Sequence, residues 1–174
     1  EFFSKLFKTL PRDIKGVFLL ISVKREMKRR LQENLPIGEI FARDIVPRYR
    51  RKPAFIDVEK DGEVWTFAEA DAFANQVGNY FHGTGLVKEG DRVAVFMNNC
   101  PEYGCVWLGL SRIGVVSALI NFNQRLQPLG HSISLAGAKL IIVSSDLQDA
   151  LEDAVNHGHV PADLPIFVYG KNNE

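Results

Sequence analysis

Three short polar runs carry the side chains best suited to chemistry: Met97-Asn98-Asn99, Asn121-Phe122-Asn123-Gln124-Arg125 and Ser144-Ser145-Asp146. Each follows an apolar, β-rich run. Amides, a guanidinium and hydroxyls gathered at strand ends can orient a polar ligand, and in open α/β sheets ligands bind beyond the carboxyl ends of the strands. This makes Asn98, Asn121, Asn123 and Arg125 the candidate cleft residues. The same residue types are also favoured in turns and helix caps, so position alone does not separate binding from turn-making. Other signatures are absent. There is no GxxxxGK[ST] loop, no GxGxxG after a strand and no GxSxG elbow. His157 and His159 could chelate only weakly, since no Cys or carboxylate at ligand spacing joins them, and they read as surface residues near a helix end. Glu152-Asp153 reads as a solvated helix face.

The elements that must position these residues can be read from periodicity. Strands are expected over 92–97, 115–120, 140–144 and 166–169, with helices over 101–113, 129–136 and 147–157 between them. Strand and helix alternating every 20–30 residues is the mark of a parallel sheet. Pro101 suits a first helical position, with Glu102 beside it favouring the dipole, and Gly114 and Gly137 sit where helices should stop. Upstream, 54–58 and 64–67 form a hairpin around Asp61-Gly62. Thr66 and Glu69 frame a capping box for a helix whose apolar face includes Phe67, Ala70, Phe73, Ala74, Val77, Tyr80 and Phe81, closed by Gly83 or Gly85. A short helix is expected over 37–46, and a longer one over 13–31.

Charge divides the chain. Residues 1–52 hold 14 Lys/Arg against 6 Asp/Glu, and residues 53–174 hold 7 against 15, so the net charge of zero hides a basic front and an acidic globule. In 13–31 an apolar half (GVFLLISV, 16–23) precedes Lys24, Arg25, Lys28, Arg29 and Arg30. That composition suits an interfacial helix on an anionic membrane surface. Its alternative is a domain-edge helix with a solvated basic end. No aromatic or glycine pattern interleaves the basic residues, which argues against a nucleic-acid partner. No apolar run reaches the length of a membrane span. Cys100 and Cys105 make neither a CxxC pair nor a disulfide framework, and no Asn-x-Ser/Thr sequon occurs, which favours a reducing compartment.

Longer stretches carry a resemblance. VKREMKRR (23–30), IFARDIVPRYRRKPAFID (40–57), VWTFAEADAFANQVGNYF (64–81), GDRVAVFMNNCPEYGCVWLGLSRIGVVSALINFN (90–123) and AGAKLIIVSS (136–145) resemble the fatty acid transport protein / very long-chain acyl-CoA synthetase family of adenylate-forming enzymes. The likeness covers roughly residues 12–155. It implies an α/β fold in which parallel βαβ units form part of the N-terminal domain, preceded by a basic amphipathic helix and a β-hairpin. Residues 1–35 would be a membrane-proximal segment and 36–174 an incomplete AMP-binding domain.

The resemblance also implies a ligase that activates long or very long fatty acids with ATP, Mg2+ and CoA, on the cytosolic face of the endoplasmic reticulum or plasma membrane. Its partners would be a long-chain fatty acid, an anionic membrane surface and the remainder of the enzyme, with a homo-oligomer among those it allows. The family's phosphate loop and adenylate motifs match nothing in this chain, so no catalytic, cofactor or metal residue is carried over. These residues alone are expected to be inactive, supplying one wall of a fatty-acid site. Two other readings stand beside this one: a non-catalytic membrane-binding or interaction module derived from the family, and an unrelated α/β nucleotide enzyme, against which the missing glycine fingerprint argues.

Overall fold

The computed structural model describes residues 2–58 and 60–170, without the side chains of residues 2–9 and 11. Contacts divide the chain into two units, Glu1–Leu35 and Pro36–Glu174.

The first unit is one helix, α1 (Phe2–Glu33), longer at its start than the expected 13–31. Glu26 accepts hydrogen bonds from Arg29 and Arg30, each at 2.7 Å, and Glu33 lies 3.8 Å from Arg29. These pairs at helical spacing draw two of the five basic residues into the helix's own surface network. Lys24, Arg25 and Lys28 are exposed, as are Phe18, Leu19, Leu20, Ile21, Val23 and Met27. Asn34 ends the helix with φ of 47°, a left-handed stop that asparagine tolerates. Among the described residues no helix is long and apolar enough to cross a membrane.

The second unit opens with α2 (Ile37–Ile40), a π-helical turn (Phe41–Ile45) and α3 (Val46–Tyr49). The single helix expected over 37–46 is therefore interrupted. Pro47 has no N–H to give, and the wide turn falls just before it. The hairpin pairs β1 (Pro53–Asp57) antiparallel with β2 (Glu63–Thr66). Asp61 and Gly62 take φ of 51° and 78°, the left-handed pair that makes Asp-Gly a hairpin turn. The capping box is present: Thr66 Oγ1 accepts from the Glu69 N–H, and the Glu69 carboxylate accepts from the Thr66 N–H. It starts α4 (Phe67–Thr84), which Gly85 ends at φ of 66°.

The main sheet is wholly parallel, in the order β4-β3-β5-β6, with β3 Arg92–Phe96, β4 Val116–Leu119, β5 Leu140–Ser144 and β6 Ile166–Tyr169. The connecting helices are α5 (Pro101–Arg112), α6 (Leu126–Ala136) and α7 (Gln148–Asn156). α6 begins three residues earlier than expected, and a 3-10 turn (Ser145–Leu147) occupies the expected start of α7.

Alternation along β3 decides the layers. Val93, Val95 and Met97 pack with Phe81 of α4 and with Val106 and Leu110 of α5. Ala94 and Phe96 pack on the other side with Leu129 and Ile133 of α6 and Leu151 of α7. All five residues of β5 are buried, whereas the edge strands expose Val116 and Leu119 of β4 and Ile166 of β6. On α5, Leu108 is buried but Trp107 is 40% exposed. Removing the indole therefore costs less than the loss expected for a buried tryptophan.

α4 and α5 meet through glycines. A Cβ on Gly109 would stand 2.5 Å from the Ala74 carbonyl oxygen and 2.9 Å from Val77 Cβ. A Cβ on Gly38 would stand 2.2 Å from the Leu108 carbonyl oxygen, so α2 also lies directly on α5. Arg112 joins the three helices, donating to the Asp71 carboxylate, the Asn75 side chain and the Gly38 carbonyl.

Gly109→Ala must push α4 away from α5, and we expect it to destabilise the protein by about 1–3 kcal/mol. Gly83→Ala meets nothing within 4 Å in the last turn of α4. It should be neutral or stabilising by up to about 1 kcal/mol, since glycine is the poorer helix former. Urea denaturation of both variants checks the contrast.

Candidate functional site

The helix after β3 lies on one face of the sheet, while those after β4 and β5 lie on the other. The loops leaving β3 therefore diverge from the loops on both neighbours. Such divergence opens a crevice at the carboxyl ends of the strands. Here there are two, one on each side of residues 97–103.

The cleft between β3 and β4 has a volume of about 340 Å³ and is lined by Met97, Asn99, Tyr103, Ile120, Asn121 and Asn123, among others. Its loop is tightly self-bonded. Asn121 Oδ1 accepts from the Asn123 N–H at 2.9 Å. Arg125 Nη1 donates to the carbonyls of Phe122 and Gln124, both at 2.7 Å. Leu126 then takes φ of 43°, uncommon for a side-chain-bearing residue. Asn121 and Asn123 are exposed at the cleft, but Arg125 is turned onto its own loop and lines neither crevice.

The cleft between β3 and β5 has a volume of about 290 Å³. Its lining comes from four places: Asp57 and Lys60 of the hairpin, Asn98, Asn99, Cys100 and Glu102 after β3, Ser144 to Asp146 at the end of β5, and Tyr169-Gly170 at the end of β6. Asn98 Nδ2 donates to Asp146 Oδ2, tying the ends of β3 and β5 together. Lys60 Nζ donates to Glu102 Oε1 at 3.2 Å and stands 3.8 Å from Asp57 Oδ2, so one exposed ammonium serves two buried carboxylates. Those carboxylates hold the lysine in its charged form, raising its pKa, with the Glu102 hydrogen bond as the leading cause.

The structure thus brings the predicted candidates together only in part. Asn98 belongs to one crevice and Asn121 and Asn123 to the other. The acidic lining was not legible. Glu102 read as a dipole partner, yet it is buried and ion-paired across 42 residues of sequence. Packing of Phe55 in β1 against Gly104 of α5 brings the hairpin to the end of β3, and no local pattern announces it.

A larger cavity of about 710 Å³ lies at the amino ends of the strands, against Pro36, His82, Lys88, Arg112 and Gly114. Its arginine is already committed to Asp71, Asn75 and Gly38. The rule for open sheets favours the carboxyl ends despite the difference in size. His157 Nδ1 bonds the Asp153 carbonyl oxygen at 2.8 Å, and among the described residues no group of three or more His, Cys, Asp or Glu could hold a metal ion.

Burial pushes the Tyr169 hydroxyl up to about 12, with the Glu102 charge adding to it. It also pushes the Cys100 thiol up to about 11 and the Cys105 thiol to about 12. Neither thiol is an activated nucleophile, since the thiolate is the reactive form. We expect iodoacetamide to label Cys100 slowly at pH 8, with the rate rising about tenfold per pH unit up to pH 10. Cys105 should label only after unfolding in urea. Rapid labelling of either in the folded protein at pH 7.5 would contradict the burial described.

Comparison with known proteins bears on this scaffold. The family model for AMP-binding enzymes matches residues 42–169. Human long-chain fatty acid transport protein 1 is 37% identical over 86% of the chain, which spans 23% of that protein. Human long-chain fatty acid transport protein 6 is 31% identical over 80% of the chain and 22% of its own length. The chain thus spans less than a quarter of these curated relatives. A fatty acyl-CoA synthetase structure from Mycobacterium tuberculosis superposes with a TM-score of 0.67 at 22% identity, over 76% of this chain and 26% of that one. The N-terminal domain of FACL13 from Mycobacterium tuberculosis gives 0.65 at 23% identity, over 77% and 34%. At such identity these structures show the shared fold alone. On the family match and the identity to the transport proteins, this chain belongs to the AMP-binding enzyme family and is related to the long-chain fatty acid transport proteins.

Proposed function

We propose that this chain is the front part of the AMP-binding domain of a fatty acid transport protein of the long-chain acyl-CoA synthetase type. The whole protein would activate long or very long fatty acids with ATP and pass the acyl group to CoA. Capture as a thioester would draw the acid into the cell. The observation that carries this reading is the 37% identity to human long-chain fatty acid transport protein 1 over 86% of the chain.

ATP, Mg2+ and CoA belong to the proposed reaction, but the residues present do not fit a triphosphate. One crevice is lined by Asp57, Glu102 and Asp146 against a single lysine whose ammonium is engaged. The other has its arginine turned onto backbone carbonyls. Phosphate binding needs clustered N–H groups or free cations aimed at the ligand. The reading therefore assigns cofactor binding to regions of the relatives that this chain does not span, and derives no chemical step from these residues. What these residues supply is scaffold: a buried parallel sheet and one wall of the crevices at its carboxyl end. Asn121 and Asn123, exposed at the crevice beside β4, are the residues we place nearest the acyl substrate.

The purified 174-residue chain should form no oleoyl-CoA from oleate, ATP and CoA. A chimera in which it replaces the matching stretch of human long-chain fatty acid transport protein 1 should retain ATP- and CoA-dependent synthesis. Synthesis by the chain alone would overturn the assignment of chemistry elsewhere, and a folded but inactive chimera would overturn the family role.

α1 supports a second reading, in which the segment binds an anionic membrane surface on the cytosolic side of the endoplasmic reticulum or plasma membrane. Its exposed Phe18, Leu19, Leu20 and Ile21 precede exposed Lys24, Arg25 and Lys28, the order expected of a helix lying at a lipid interface. Each basic residue near such a surface contributes about 1 kcal/mol. Replacing Lys24, Arg25, Lys28, Arg29 and Arg30 together with Gln should abolish co-sedimentation with phosphatidylserine liposomes at low salt. Unchanged sedimentation would leave α1 as a solvated helix.

A further inference from the structure

Two buried polar atoms in the crevice between β3 and β5 have no hydrogen-bond partner: Glu102 Oε2 and Ser144 Oγ. Glu102 is 7% and Ser144 8% exposed. Buried polar groups are almost always paired, and an orphaned carboxylate oxygen is among the most costly exceptions. The two orphans come from different elements, the first turn of α5 and the end of β5, and both line one cavity. The Tyr169 hydroxyl and the Cys100 thiol lie near the Glu102 carboxylate and interact with it, but neither meets hydrogen-bond geometry at Oε2. Lys60 is held on Glu102 Oε1, and the Asn98 amide is committed to Asp146.

The chemistry of the cavity narrows what could complete it. Asp57, Glu102 and Asp146 face one ammonium, so the lining repels phosphate and carboxylate. A bare metal ion is disfavoured, because among the described residues no cluster of three ligating side chains exists. An apolar guest would leave both orphans unsatisfied. What remains is a group rich in N–H donors and carrying positive charge, which a carboxylate oxygen and a hydroxyl oxygen can accept from together. At about 290 Å³ the cavity sits at the lower end of small-molecule sites, so the guest is compact.

We propose that the crevice between the carboxyl ends of β3 and β5 is a binding subsite for a small organic nitrogen cation, held by Glu102 Oε2 and Ser144 Oγ. The subsite is separate from the Asn121/Asn123 crevice and does not depend on the acyl-CoA synthetase reading. It gives the buried Glu102 two tasks, one oxygen anchoring the hairpin through Lys60 and the other receiving the ligand.

The test is a titration of the 174-residue chain with agmatine and with ethanolamine, following the backbone amide resonances of residues 98–102 and 144–146. Acetate, inorganic phosphate and potassium chloride at matched ionic strength serve as controls. Saturable shifts with the two amines and none with the controls are expected. Glu102→Gln should weaken binding at least about tenfold, because a charge-assisted hydrogen bond is lost. Ser144→Ala should weaken it by about threefold to tenfold, the loss of a neutral hydrogen bond. It should leave the fold intact, since its hydroxyl bonds nothing in the protein. This keeps the test decisive should Glu102→Gln unfold. Asp153→Asn, on the exposed face of α7, should change nothing. Absence of saturable shifts with both amines would overturn the proposal and leave the orphans to solvent. Equal shifts from potassium chloride, or unchanged affinity in Ser144→Ala, would overturn it as well.

Discussion

A parallel sheet must be covered on both faces, and everything else in this chain follows from how β3 meets that demand. Its side chains alternate between two helical layers, Val93, Val95 and Met97 against α4 and α5, Ala94 and Phe96 against α6 and α7. Consecutive connections are right-handed. With β4 on one side of β3 and β5 on the other, the helices after β3 and after its neighbours must part to opposite faces. The crevices at the carboxyl end are the geometric residue of that parting. They require no special sequence, which is why one scaffold can serve many ligands.

The covering layer beside α5 is unusually close, and glycine makes it so. Gly109 admits the Ala74 carbonyl and Gly38 admits the backbone of Leu108. With the helices this near, a single arginine can reach all three: Arg112 donates to Asp71, Asn75 and Gly38. A largely buried guanidinium is costly unless its donors are occupied, and two bonds to α4 and one to α2 occupy them. Packing and polar satisfaction are thus one arrangement. The same commitment removes Arg112 from the large cavity beside it, so size there does not translate into a binding chemistry.

Legibility followed the range of the interactions. The strands, the capping box of Thr66 and Glu69, the Asp61-Gly62 turn and the glycine stops are local, and the order of residues displays them. The π-helical turn before Pro47 is a compromise between a helix and a missing donor, and periodicity does not record compromises. The lining of the crevices was legible as far as strand ends go, while its use as a site is our proposal. Asn98, Asn121 and Asn123 do line the crevices, because they follow buried strands at the carboxyl end of the sheet. Arg125 does not, because two backbone carbonyls of its own loop satisfy it first. Glu102 was hidden for the opposite reason: its partner Lys60 lies on a hairpin that only the tertiary fold brings near.

The division of labour between the two crevices follows from charge. On the β4 side the lining is amide and aromatic, with Asn99, Asn121, Asn123 and Tyr103, and carries no formal charge. On the β5 side three carboxylates meet one ammonium. The β5 side is therefore electrostatically less favourable to an anion than the β4 side. The acidic lining on the β5 side is thus a boundary in charge between the two crevices. The Asn98 amide bonded to Asp146 holds that boundary in register with β3 and β5, so the separation depends on the central strands themselves rather than on mobile loops.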